Sequence, residues 1–290
     1  MHRAQQLWSL LRGSVMAWID DDVPSLGAAL AFYMLFAIAP LLLIVIAVGG
    51  LIFGRDAAQG HILIQLRELM GENGALAVQS LLESASDRSS GVLAVIIGTV
   101  TFFVAATTVF AELRLSLNRI WRAPARRRNA VKEVVVTRVV SLGMILSFGL
   151  MLLLSLVLSA ALTAIGAWWS VFFVGWGFVL QAANLVLSFS VTTLIFALIF
   201  KFLPQVRLAW REVWVGATVT AVLVVVGKLL IALYLGSTGV GSAFGAAGSL
   251  VVLLLWIYYT AQILLLGAEF TWLYAHRYGS RRELGALLDG

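Results

Sequence analysis

The chain has no cysteine among its 290 residues. Disulfides, thiolate nucleophiles and cysteine metal sites are therefore excluded. Charge is scarce too: Asp, Glu, Lys and Arg make up 12% of the residues, where a soluble domain has about a quarter. The three histidines, His2, His61 and His276, are scattered over a tail, a loop and another tail. No HExxH, paired-aspartate or Ser-His-Asp arrangement appears, which argues against metal sites and nucleophilic catalysis and leaves no catalytic or cofactor-binding residue to name.

Apolar residues fill the space, at 61% of the chain with a mean hydropathy of +1.00. They fall in runs at about 26–53, 91–117, 134–163, 172–202, 212–235 and 246–274. Each run is long enough to cross roughly 30 Å of hydrocarbon at about 1.5 Å per residue. Backbone polar groups in lipid must be satisfied within the segment, so these runs are expected to be helices. The alternating pattern of a transmembrane barrel is absent. The expectation is an all-α membrane protein with six transmembrane helices in one domain, 25–277, followed by a tail, 278–290. The first 24 residues lack the order of a cleavable signal, and the first run is too long for a signal h-region.

Residues 3–19 read as an amphipathic interfacial helix, with Leu7, Trp8, Leu11, Val15, Trp18 and Ile19 in one stripe. The segment 54–90 reads as short amphipathic helices on the outer membrane face, broken near Gly71 and Gly74. Pro40, within FAIAPLLL, removes a backbone hydrogen bond and predicts a kink in the first span.

Orientation follows from lysine and arginine in short loops. Arg3 and Arg12, then Arg119, Arg122, Arg126, Arg127, Arg128 and Lys132, then Lys201, Arg207 and Arg211, then Arg277, Arg281 and Arg282 fall on one side of a six-span arrangement. Arg55, Arg67 and Arg88 are left on the other. Both termini are thus expected in the cytoplasm. The basic run APARRRN at 123–129 reads as a topology signal that meets anionic lipid head groups. It has no interleaved aromatics and lies between two spans, which argues against nucleic acid.

Two glycine-containing stretches imitate nucleotide motifs and fail. In STGVGSAFGAAGSL the third glycine of GxGxxG is replaced by Phe244, and the Gly227–Lys228 pair has Val222 and Leu229 where a P-loop needs glycine and Ser or Thr. Charges inside the spans are the better pointers, because lipid makes them costly. Glu112, Arg114, Arg138 and Glu269, with Arg211, all count to the cytoplasmic end and are expected to form an ion network. Lys228 lies about 10 Å below the outer end of its span, at the depth of Gln181 and Asn184, and the three are expected to line a cavity for an anionic head group.

The segments DVPSLGAALAFYMLFAIAPLLLIVIAVGGLIFG at 22–54, FAELRLSLNRIW at 110–121, LPQVRLAWREVWVGATVTA at 203–221 and GAAGSLVVLLLWIYYTAQILLLGAEFT at 245–271 resemble the YihY/virulence factor BrkB family. The resemblance covers about residues 10–277. It implies a bacterial inner-membrane protein with about six spans, and the ribonuclease label some members once carried finds no nuclease chemistry here. Positions matching the family include Glu112, Asn118, Trp121, Trp210, Arg211, Lys228 and Glu269. The expected function is that of a transporter or flippase-like protein for an amphipathic or anionic envelope molecule, with membrane lipids as partners. A non-transporting envelope scaffold and a membrane hydrolase are the alternatives.

The topology is testable because the native background is free of cysteine. Single cysteines at Arg127 and Gly279 are expected to be shielded from an impermeant thiol reagent in intact cells, and cysteines at Gln59 and Gly236 to react. Labelling of Arg127 from outside would end the six-span arrangement.

Overall fold

The computed structural model describes residues 2–87, 92–123, 130–169, 176–206, 208–238 and 248–281. It is all-helical over these residues, with eight helices: α1 His2–Asp20, α2 Val23–Phe53, α3 Arg55–Asp87, α4 Val92–Ile120, α5 Ala130–Trp169, α6 Trp176–Phe202, α7 Trp210–Thr238 and α8 Gly248–Tyr278. Six of them, α2 and α4 to α8, lie over the six apolar runs. Among the described residues three stretches are long and apolar enough to cross a membrane: Leu180–Phe202, Trp210–Ile231 and Leu250–Tyr278. A fourth arises if Trp8–Asp20 and Val23–Ile38, bent by 72°, count as one broken span. The basic run 124–129 and the glycine-rich stretch 239–247 lie outside the described residues.

The amphipathic segment between the first two runs differs from expectation. It is one helix, α3, which passes through Gly71 and Gly74 without a break. A glycine inside a helix costs only about 1 kcal/mol relative to alanine. Here that cost is offset by burial of Leu66, Ala75, Ala77, Val78 and Leu82 against α2 and α8. α2 likewise runs through Pro40 as one helix; the Pro40 side chain lies outside the described residues.

α1 and α2 meet at a corner where Asp22 takes a left-handed conformation, φ 54°, and accepts a hydrogen bond from Ser25 Oγ at 3.0 Å. Pro24 opens α2, where its missing N–H is harmless. The stripe expected on α1 is divided between two surroundings. Trp8, Leu11, Val15 and Ile19 are exposed, whereas Leu10, Gly13, Ser14 and Trp18 turn towards α8. The Leu7 side chain lies outside the described residues.

The tightest joint is between α7 and α8. Lipid tails are as apolar as leucine, so helices in a membrane associate by close packing rather than hydrophobic exclusion, and small residues permit it. A Cβ at Gly216 of α7 would collide with Thr271 of α8, and a Cβ at Gly267 of α8 would collide with Thr220 of α7. The two contacts are reciprocal. Each threonine hydroxyl is satisfied within its own helix, Thr220 Oγ1 donating to Gly216 O at 2.8 Å and Thr271 Oγ1 to Gly267 O at 2.6 Å. Ala217, Ala221 and Ala268 continue the buried seam.

This interlock decides the sign of a substitution. Gly216→Ala gains about 1 kcal/mol of helix propensity, yet overpacking at a closed contact costs about 1–3 kcal/mol. A lowered melting temperature in detergent is expected, with part of the loss recovered by adding Thr271→Gly. Strictly additive losses in that pair would count against the interlock.

Candidate functional site

Among the described residues, Arg119, Arg122, Lys201, Arg211, Arg277 and Arg281 lie at helix ends that meet at one end of the bundle, here called the basic end. Trp121, at the C-terminus of α4, is buried and donates through its indole Nε1 to Ala268 O at 3.0 Å. Its ring meets Phe200 of α6 edge-on at 6.0 Å. Asn118 Oδ1 accepts from the Gln205 backbone N–H at 2.9 Å, fastening α4 to the link between α6 and α7. Lys201 Nζ donates to Leu208 O at 2.6 Å and lies 5.2 Å from the Trp210 ring. Glu212 is buried, but its two oxygens accept the backbone N–H groups of Ala209 and Ser280, so the ends of α7 and α8 are tied together. A buried carboxylate is tolerable when backbone donors surround it in this way.

The residues expected to form an ion network take individual places around this end. Arg114 is buried and its Nη1 donates to Thr137 Oγ1 of α5 at 2.9 Å. Arg138, exposed on α5, donates to Thr107 Oγ1 of α4. Glu112 is half-buried and Arg211 exposed. Glu269 is 1% exposed, and its Oε1 has no hydrogen-bond partner. Its charged neighbours are Asp21 and Asp20 from the α1–α2 corner and Arg122 from the end of α4. Arg122 also lies 4.9 Å from the centre of the Trp272 ring, three residues along α8 from Glu269. Arg122 was visible in the sequence only as one basic residue of a loop.

Gln262 was also missed, although a glutamine within an apolar run is itself a signal. Its Oε1 accepts from Trp18 Nε1 of α1 at 3.0 Å, and its Nε2 donates to Pro24 O of α2 at 3.3 Å. Gly27 leaves the space that this side chain occupies.

Lys228 lines a pocket of about 160 Å³ between α6, α7 and α8. Thr192, Trp256, Tyr259 and Thr260 supply the rest of its polar and aromatic wall. Gln181 and Asn184 are exposed near the start of α6 and are not in that lining. Thr192, eight residues further along, contributes in their place. A larger cavity of about 380 Å³ lies among α2, α4, α5, α6 and α8, with walls that include Leu30, Phe110, Phe148, Phe196 and Ala261. Trp256 and Thr260 belong to both walls. Among the described residues no three histidine or carboxylate side chains gather as metal ligands.

The family model for virulence factor BrkB matches residues 14–287. The chain belongs to the BrkB family. Curated relatives named UPF0761 membrane protein include one from Cronobacter sakazakii, 28% identical over 275 residues, covering 89% of each chain. One from Verminephrobacter eiseniae is 28% identical over 256 residues, 87% of this chain and 58% of its own. One from Ralstonia nicotianae is 26% identical over 272 residues, 92% of this chain and 57% of its own. This BrkB-family chain thus spans under three fifths of the length of some curated relatives that it matches. These relatives are named as membrane proteins, with no enzymatic name among them. No solved structure shows a significant match.

If Arg122 is the cation that balances Glu269 in this BrkB-family protein, a double-mutant cycle of Glu269→Gln with Arg122→Gln is expected to depart from additivity by about 0.5–3 kcal/mol. Chemical unfolding in mild detergent measures it. A cycle that closes to zero would remove Arg122 from the site.

Proposed function

We propose that this is a six-span protein of the bacterial cytoplasmic membrane, with both termini inside, that binds and moves an anionic amphipathic envelope molecule such as a lipid. The topology is supported by the convergence of α1, the end of α4, the α6–α7 link and the end of α8 at one end, together with the arginine and lysine of those segments. Such a bias is the usual mark of cytoplasmic loops. On this reading α1, exposing Trp8, Leu11, Val15 and Ile19, lies in the inner interface.

One observation carries the function: Lys228 is a half-buried cation in the wall of a pocket, inside a helix apolar enough to cross the bilayer. It sits roughly 27 Å along α7 from Trp210, at 1.5 Å per residue. That is near the far end of the apolar stretch Trp210–Ile231, where an ammonium is retained when it meets water, an acceptor or an anion. The pocket is roomy enough for a small head group, and the apolar cavity beside it suits hydrocarbon. A packed scaffold has no need of either.

The test is native mass spectrometry of the purified chain with phosphatidylglycerol, using phosphatidylcholine as reference. Lys228→Met is expected to weaken phosphatidylglycerol binding about tenfold or more, the equivalent of a charged hydrogen bond of about 1.5–3 kcal/mol. Melting temperature should stay near that of the parent, and Lys228→Arg should retain most of the binding. Equal preference for both lipids in the parent protein would favour a scaffold.

A further inference from the structure

The two cavities meet at a single row of α8. Ile257, Ala261 and Leu264 face the larger chamber, Tyr259 and Ile263 face the Lys228 pocket, and Trp256 and Thr260, four residues apart, line both. Trp256 and Thr260 thus stand between the pocket that Lys228 lines and the apolar chamber. We infer that the two are compartments of one site for an anionic amphiphile, with its head group on Lys228 and one alkyl chain in the chamber. The inference rests on the reading that Lys228 receives an anion.

The chemistry of the walls divides the roles. The chamber is lined by aliphatic and aromatic side chains, with Thr260 and the Trp256 indole at its edge. The Thr260 hydroxyl donates to Trp256 O at 2.9 Å, within its own helix. Such a chamber does not hold water, because water needs two to four polar partners. Its volume of about 380 Å³ leaves room for an alkyl chain. Hydrocarbon gains little by leaving lipid tails for an equally apolar chamber. Selectivity must then come from the head group, and the smaller pocket supplies it. Thr192 Oγ1 donates to Ser188 O at 2.8 Å, so its proton is engaged as well. Lys228 brings the positive charge to that wall, with the Tyr259 hydroxyl close to neighbouring Gly227.

Small residues keep the chamber open. Ala261 stands in its α8 wall, and Gly149 in its α5 wall. A Cβ at Gly149 meets nothing within 4 Å. Gly149→Leu therefore adds volume without disturbing a packed contact, and Ala261→Leu is a second way to fill the same space.

The experiment uses the full chain in phosphatidylcholine nanodiscs and hexadecyl phosphate with a photoreactive diazirine at the chain end. Hexadecyltrimethylammonium with the same diazirine is the charge-inverted control. Crosslinks mapped by mass spectrometry are expected on Phe110, Phe148 and Phe196, and are expected to be lost in Gly149→Leu and Ala261→Leu. Crosslinks on outward-facing Leu146, Leu150 and Leu185, unchanged by either variant, would overturn the chamber. Loss of the phosphate probe's advantage over the ammonium probe in Lys228→Met supports the joint site. If that advantage depends on Lys228 but the chamber is unlabelled, the chamber alone falls. If the chamber is labelled equally by both probes in the parent, the anion reading falls and the joint site with it.

Discussion

The close approach of α7 and α8 sets the positions of most other parts. α8 also touches α1, α2, α3 and α4, so whatever fixes its rotation fixes the bundle. Gly216 against Thr271 and Gly267 against Thr220 fix it near the basic end, and Gly227 against Tyr259 and Ile263 repeats the fit further along. Three contacts along one seam allow a single register. In that register the residue after Gly227, Lys228, lines the pocket with Tyr259 and Ile263, while the other flank of α8 faces the apolar chamber. A slip of one residue would turn α8 by about 100° and separate the two walls.

The basic end obeys a different rule. Its buried polar side chains work mostly by satisfying backbone groups. Asn118, Lys201 and Glu212 each complete a hydrogen bond that a helix terminus or link would otherwise lack, and Trp121 adds one to a carbonyl inside α8. Four orphan N–H groups and four orphan C=O groups end every helix, and leaving them unmade near lipid is expensive. Staples of this kind explain why a carboxylate such as Glu212 can be buried. Glu269 is the exception, with one oxygen unsatisfied and charges of both signs nearby.

The long helices were legible because a long apolar run in lipid has to satisfy its own backbone, and three of them are apolar enough to cross a membrane among the described residues. The break expected at Gly71 and Gly74 was not legible, because the penalty of two glycines is small beside the burial of Val78 and Leu82. Counting residues along helices gave Lys228 a height but no direction around the axis. Gln181 and Asn184 share that height, and Thr192 of the same helix shares the pocket. The partners of Glu269 come from α1 and α4, some 150 to 250 positions away along the chain, and no local pattern announces them.

The bond from Trp18 to Gln262 spans 244 residues. At a synthesis rate of about 5–20 residues per second, Gln262 is made roughly 12 to 50 seconds after Trp18. Throughout that interval the first helix has no docking partner on α8, because α8 does not yet exist. α1 therefore reaches its final packing late, after the residue that holds it on α8 has been made.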